Sequence, residues 1–298
     1  MTSPFFRRFV PAVLLLLALT IGPLLSSVTS QVSVSVHMPF GNASGATSSS
    51  TNNRLVTRSQ FAASWNAGKR TANWVAWRLR ASDIGSVPRS DFHVDPVIPT
   101  PSPSDYTNSG YDRGHLCPSG DRTNTSANNY AVFTMLNIIP QAPDNNQGPW
   151  ERLESYTRSL AKAGREVYII AGGTGSKGSF NGITIPASTW KVVVALQPGR
   201  TYPSVSGSTT IAVLMPNNQG IRSNTWQTYQ TTVSNIASRT GYNFLNYPQS
   251  PTPSTIAERQ RSDLDGVGDI RSRFPLHPSL SAMDGASIEG RGEVLIKL

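Results

Sequence analysis

One cysteine, Cys117, stands in the 298 residues, so no intrachain disulfide is possible and stability rests on packing. No nucleophile signature flanks it, and it reads as a small buried space-filler. Charge is sparse at 14% of residues, against 38% hydrophobic. With 24 glycines and 22 prolines, that balance excludes a helical bundle and points to a turn-rich globular protein in which strands outweigh helices. No internal repeat is present. The glycine-rich run Gly172 to Gly178 lacks the Gly-Lys-Ser/Thr order of a nucleotide P-loop and reads as a turn between strands. Acidic residues are the scarcer charge, 17 against 26 basic. The resulting net charge of +9 falls only to +7 without the first thirty residues, which carry Arg7 and Arg8 alone. A basic surface favours encounter with polyanions such as nucleic acid.

The start of the chain has the order of a secretory signal peptide: Arg7-Arg8, an apolar stretch from Val13 to Leu19, then small polar residues from Ser26 to Ser30. Pro11, Gly22-Pro23 and the short apolar centre argue for cleavage rather than a retained membrane anchor. Residues 1–30 are therefore expected to be removed, giving an exported protein, extracellular or periplasmic, with no stable membrane insertion. Residues 31–55, with the Ser/Thr/Asn/Gly-rich stretch from Gly41 to Asn53, are expected to form a flexible arm. The folded domain is expected over 56–265 and a loosely ordered extension over 266–298.

Inside the domain, Trp74 to Leu79, Val167 to Ala171, Trp190 to Ala195 and Thr210 to Met215 have the brief, β-branched, apolar character of buried strands. Asp95 to Ser104 holds four prolines and must be irregular. Trp150, Leu153, Thr157 and Leu160 recur at helical spacing between Pro149 and Gly164, predicting an amphipathic helix. A second helix is predicted from Ser223 to Thr240, with Trp226, Tyr229, Val233 and Ile236 on one stripe.

The densest reactive cluster is Tyr111-Asp112-Arg113-Gly114-His115, followed by Asp121-Arg122. An arginine beside an imidazole lowers its pKa and keeps it neutral, able to accept a proton near pH 7. Farther on come Asn137-Ile-Ile-Pro-Gln141 and Asp144-Asn145-Asn146-Gln147, then Glu154 with Arg158 one helical turn beyond. Mg2+ keeps most of its waters and takes few protein oxygens, so one amide oxygen at a helix start is enough to hold it; Asn146 is so placed. Glu154 and Arg158, four apart, share a helix face. The plainer reading of the same residues is a surface ion pair beside an Asn-rich turn.

In these two blocks the chain resembles the DNA/RNA non-specific endonucleases with a ββα-metal finger. Asp112-Arg113-Gly114-His115 matches the DRGH signature, and Asn137 to Gln141, Asn146-Gln147 and Glu154 match the second block in type and spacing. The resemblance runs from about Pro39 to about Asp265. It implies an α+β fold, a central antiparallel sheet flanked by helices, with the finger at 110–163. It implies that His115 activates water, Asn146 is the metal ligand, Glu154 orients metal-bound water, Arg113 and Arg158 neutralise the scissile phosphate, and Asn137 supports the surroundings of His115. Arg122 joins Arg113 and Arg158 as a nucleic-acid contact. The implied cofactor is Mg2+, with Mn2+ or another divalent cation accepted. The implied substrates are DNA and RNA, cut to 5′-phosphate products. Two other readings stay open on the residues alone: an exported nucleic-acid-binding protein without catalysis, and a phosphodiesterase acting on small nucleotides.

Overall fold

A computed structural model of the chain describes Met1, residues 35–244 and residues 246–248. The chain divides between Ser33 and Val34 into two units, and every element below belongs to the second. The expected signal peptide beyond Met1, and the expected extension at 266–298, lie outside the described residues.

In chain order the strands are β1 Arg54–Thr57, β2 Ala62–Asn66, β3 Thr71–Leu79, β4 Asp112–His115, β5 Ile138–Gln141, β6 Val167–Thr174, β7 Ser179–Phe180, β8 Ile183–Thr184, β9 Ser188–Ala195, β10 Thr209–Pro216 and β11 Gln230–Thr231. The helices are α1 Ser126–Val132, the single turn α2 Pro143–Asn145, α3 Glu151–Lys162 and α4 Val233–Thr240. Seven strands form one sheet in the order β1-β2-β3-β6-β9-β10-β11, every pairing antiparallel. All four strands predicted from apolar runs are in it. They lack polar/apolar alternation because neither face meets water. On one face Val75, Trp77, Ile169, Val193 and Val213 pack against Leu116, Phe133, Trp150 and Leu153. On the other, Trp74, Ile170, Trp190, Val192 and Val194 pack against Phe40, Val233, Ile236 and Phe244.

Between β3 and β6 the chain leaves the sheet and builds the ββα finger on the first of these faces. The β4–β5 ribbon pairs Asp112 with Gln141 and His115 with Ile138, and α3 follows through a π-type turn, Asn146–Trp150. The fold is thus α+β with a large antiparallel sheet, few helices and a finger inserted between two sheet strands.

Two expectations are corrected. Residues 38–53 are no flexible arm: Met38, Phe40, Ala43 and Ala46 are buried, and Asn53 Oδ1 accepts from Ser44 and Ser64 hydroxyls at 2.6 and 2.7 Å. These turns cover the sheet. The helix predicted from Ser223 begins instead at Val233, capped by Thr232, whose hydroxyl accepts from Asn235 N. Trp226–Tyr229 is a separate 3-10 turn, and β11 lies between the two.

Candidate active site

A cleft of about 460 Å³ opens beside the finger, lined by His115 and Arg113 from β4, Asn146 from the π-type turn, Glu154 and Arg158 from α3, and Arg89 from the loop after β3. The structure thus brings five residues predicted from sequence to one place.

His115 sits between aromatic rings, 5.2 Å from Phe92 and 4.7 Å from Phe133 in an edge-on contact. Burial, with the Arg89 guanidinium adding to it, pushes its pKa down to about 3, so the imidazole is neutral at any ordinary pH. Its Nε2 is buried without a hydrogen-bond partner among the described residues. The ring therefore meets the cleft through Nδ1. Its backbone is held on two sides: His115 O accepts from Trp150 Nε1 at 3.3 Å, and Gly114, one residue earlier, lets the ribbon close over Gln141, whose Oε1 would lie 2.0 Å from any added Cβ.

Asn146 is oriented by Asp112. Its Nδ2 donates to Asp112 Oδ2 at 2.8 Å, and Gln147 Nε2 donates to the same oxygen at 2.8 Å. A carboxylate only accepts, so the atom facing it must be the amide nitrogen, leaving Asn146 Oδ1 as the branch turned away from Asp112. The turn is braced from behind. Arg222 pairs with Asp144 at 2.8 Å and donates to Gln147 Oε1 at 2.8 Å, and the Gly220 amide, with Arg222, holds the Asp144 carboxyl below its usual pKa.

Among the described residues no cluster of three or more His, Cys, Asp or Glu side chains is placed to hold a metal, so a tetrahedral, thiolate-and-imidazole type of centre has no donor set there. One neutral amide oxygen, Oδ1 of Asn146, at the rim of a polar cleft is the donor set that suits a hard cation keeping its water shell. The residues present therefore fit a hard divalent cation.

Among the described residues the cleft arginines divide into those without an ion pair, Arg89 and Arg113, whose NH1 donates to Pro103 O at 3.5 Å, and Arg158, which has two. Arg113 is exposed and lies over the Phe92 ring at 4.6 Å; Arg89 is exposed over Phe133 at 5.4 Å. Arg89 was missed from sequence, since nothing in its loop marks it. Arg158 does not pair with Glu154 despite the four-residue spacing. Its NH1 lies 3.3 Å from buried Asp121 and its NH2 3.6 Å from Glu151. Glu154 instead faces Lys191 Nζ at 3.6 Å. Burial raises the Glu154 pKa to about 7, opposed by Lys191 and Arg158 and helped by Asp121 and Glu151.

Two predicted site residues lie outside the cleft. Arg122 is 4% exposed, its guanidinium donating to the carbonyls of Gln60, Arg78 and Asp121 at 2.6, 2.8 and 2.7 Å. It is a structural cation and not a nucleic-acid contact; its charge is spent on closing a loop junction. Asn137 is fully buried, its amide bridging Cys117 N and O at 2.9 and 2.8 Å and Val132 O at 2.8 Å. It clamps the chain two residues after His115 and touches no reacting group. Cys117 is buried, as expected of a space-filler, and burial holds its thiol protonated.

A desolvated histidine on a two-strand ribbon, joined through a turn that carries Asn146 to a helix that presents a carboxylate and an arginine, has the arrangement of a ββα-finger nuclease. The family profile described as DNA/RNA non-specific endonuclease matches residues 41–250, and the chain belongs to that family. It is 44% identical over 250 residues to a protein of Nostoc sp. named Nuclease, covering 78% of this chain and 90% of that one. It is 28% identical over 286 residues to a mitochondrial nuclease EXOG of Danio rerio, covering 88% and 79%. In fold it is similar to a solved EndoG/EndoGI complex, with a TM-score of 0.61 and 22% identity, over 71% of this chain and 91% of that chain. The protein is thus a hydrolase of the non-specific endonuclease type, with nucleic acid as its substrate class.

Proposed function

We propose that the chain is an exported, magnesium-dependent endonuclease that hydrolyses phosphodiester bonds of DNA and RNA, leaving 5′-phosphates, with His115 as general base and Asn146 as metal ligand. The observation that carries this reading is the meeting, in one cleft, of a neutral imidazole, the Asn146 amide oxygen turned away from Asp112, and the exposed guanidinium groups of Arg89 and Arg113, which have no ion pair among the described residues.

Water in the cleft gives its proton to Nδ1 of His115 as its oxygen attacks phosphorus. The imidazole is desolvated and uncharged, and so holds the lone pair this step needs. The bond from phosphorus to the 3′ oxygen breaks in line, and the phosphate stays on the 5′ side. A divalent cation held by Asn146 supplies charge stabilisation to the phosphate and the departing oxygen when bound; Mg2+ and Mn2+ both suit an oxygen donor. Arg113 and Arg89 offer donors to non-bridging phosphate oxygens, and ionised Glu154 accepts a hydrogen bond from water in the cleft. Contacts to phosphate carry no base information, which accounts for sequence tolerance. The signal-like N-terminus supports export.

The test is digestion of supercoiled plasmid and of RNA by purified protein, with metals added back singly after EDTA. His115→Ala is expected to lose about 10²–10⁴-fold in cleavage rate while still retarding DNA in a binding assay. Wild-type rates in that variant would remove His115 from the role.

A further inference from the structure

Lysine is almost never fully buried unless paired, yet Lys191 is 1% exposed in the middle of β9. Its neighbours on the same sheet face, Val193 and Ala195, belong to the core beneath the finger. An apolar side chain there would pack at no electrostatic cost, and replacing a buried ion pair by hydrophobic residues is commonly neutral or stabilising. The ammonium lies over Trp150 at 4.0 Å and farther from Trp77, at 5.7 Å. Both indoles offer it a cation–π surface. Its Nζ makes no hydrogen bond among the described residues; burial lowers the Lys191 pKa, and the Glu154 and Asp121 carboxylates oppose that fall.

The charges around it leave it one partner. Asp121 is served by Trp77 Nε1 at 2.8 Å and by Arg158. Arg158 is divided between Asp121 and Glu151. The Cys117 thiol nearby is neutral. Lys191 is therefore the cation within ion-pair reach of Glu154 among the described residues.

We propose that Lys191 is a positioning residue for the cleft: its buried ammonium, seated on Trp150 and 3.6 Å from Glu154 Oε1, keeps that carboxyl group ionised and so able to accept a hydrogen bond. The role rests on the nuclease reading above only in its consequence for cleavage. Burial already drives Glu154 up to about 7. Without the lysine the acid form prevails at neutral pH, and a neutral carboxyl donates its proton where the site needs an acceptor.

The experiment is a carbon-13 NMR titration of glutamate carboxyls in metal-free protein without nucleic acid, the Glu154 signal being assigned by its loss in Glu154→Gln. In Lys191→Met the Glu154 midpoint is expected to rise by about one pH unit or more. Cleavage at pH 7 is expected to fall about tenfold and to recover as pH is raised, with Lys191→Arg regaining most of the rate. An unmoved midpoint, or a rate loss equal at every pH, would overturn the proposal. Should Lys191→Met not fold, the wild type serves: the Lys191 15Nζ resonance is expected to step at the Glu154 midpoint, and the absence of that step sinks the idea. A wild-type protein that cuts nothing defeats the nuclease reading and leaves both titrations intact.

Discussion

At the scale of single residues the site is governed by desolvation more than by neighbouring charge. From the motif, Arg113 was the expected cause of a neutral His115. Instead burial among Phe92 and Phe133 is the larger cause, and the cation that adds to it is Arg89. That difference has a thermodynamic consequence. The folded pKa of about 3 lies below the ordinary 6.5, so between those values the unfolded chain binds a proton that the folded one refuses. Stability linked to His115 is complete above 6.5 and is lost as pH falls toward 3, at up to about 1.4 kcal/mol per pH unit. His37, held by Ser59 O and lowered by burial to about 4, acts in the same direction. Glu154 runs opposite, its raised pKa favouring the fold at low pH and withdrawing that support as pH rises from 4.5 toward 7. Thermal unfolding followed from pH 7 to pH 4 is expected to show a falling midpoint in the wild type and a shallower fall in His115→Asn. Parallel curves would mean that His115 is not desolvated in the folded protein.

Secondary-structure elements carry these residues into register, and here the sequence was legible in part. The strands were readable because a sheet covered on both faces writes itself as uninterrupted β-branched runs, as in Val192-Val193-Val194. The helix at 223–240 was read too long because Trp226 and Tyr229 fall on the same helical stripe as Val233 and Ile236. In space that stripe is split: Trp226 and Tyr229 join the core under the finger, and Val233 and Ile236 join the core on the other side of the sheet. His115 and Asn146 were legible because their motif blocks are local. Arg89 and Lys191 are not, since only the tertiary fold brings Arg89 to the cleft and Lys191 against Glu154, and Lys191 hides in an apolar run. The π-type turn shows how closely local geometry serves the site. At Gly148 the backbone leaves helical angles, φ −119° and ψ −118°, and a Cβ there would lie 2.8 Å from both Cα and O of Arg222. Backbone cannot yield as a flexible side-chain end does. Gly148→Ala is therefore expected to push the turn and Asn146 outward, raising the Mg2+ concentration for half-maximal cleavage about tenfold or more and costing about 1–3 kcal/mol of stability. An unchanged metal dependence would show that this contact does not set the position of Asn146.

Across the whole molecule, the sheet separates two tasks. One face supports the finger and the cleft; the other is closed by α4 and by the segment that sequence composition marked as a loose arm. That misreading has a physical cause. The segment buries its few apolar side chains through turns with no helical or strand period, and satisfies its backbone through Asn and Ser side chains, so composition alone resembles a solvated linker. Phe40 is its anchor, 5% exposed and within 5.7 Å of the rings of Tyr168, Tyr202 and Tyr247. Truncating a phenylalanine so enclosed removes its transfer free energy and leaves a cavity, about 3–5 kcal/mol in all. For a chain of this size each kcal/mol lowers the thermal midpoint by about 2–4 °C. Phe40→Ala is thus expected to melt on the order of 10 °C or more below the wild type. Its cleavage rate well below that temperature should be unchanged, because the sheet stands between the ring and the cleft. A variant that melts with the wild type would mean the segment is not docked, and one that loses activity while folded would mean that the two faces of the sheet are coupled.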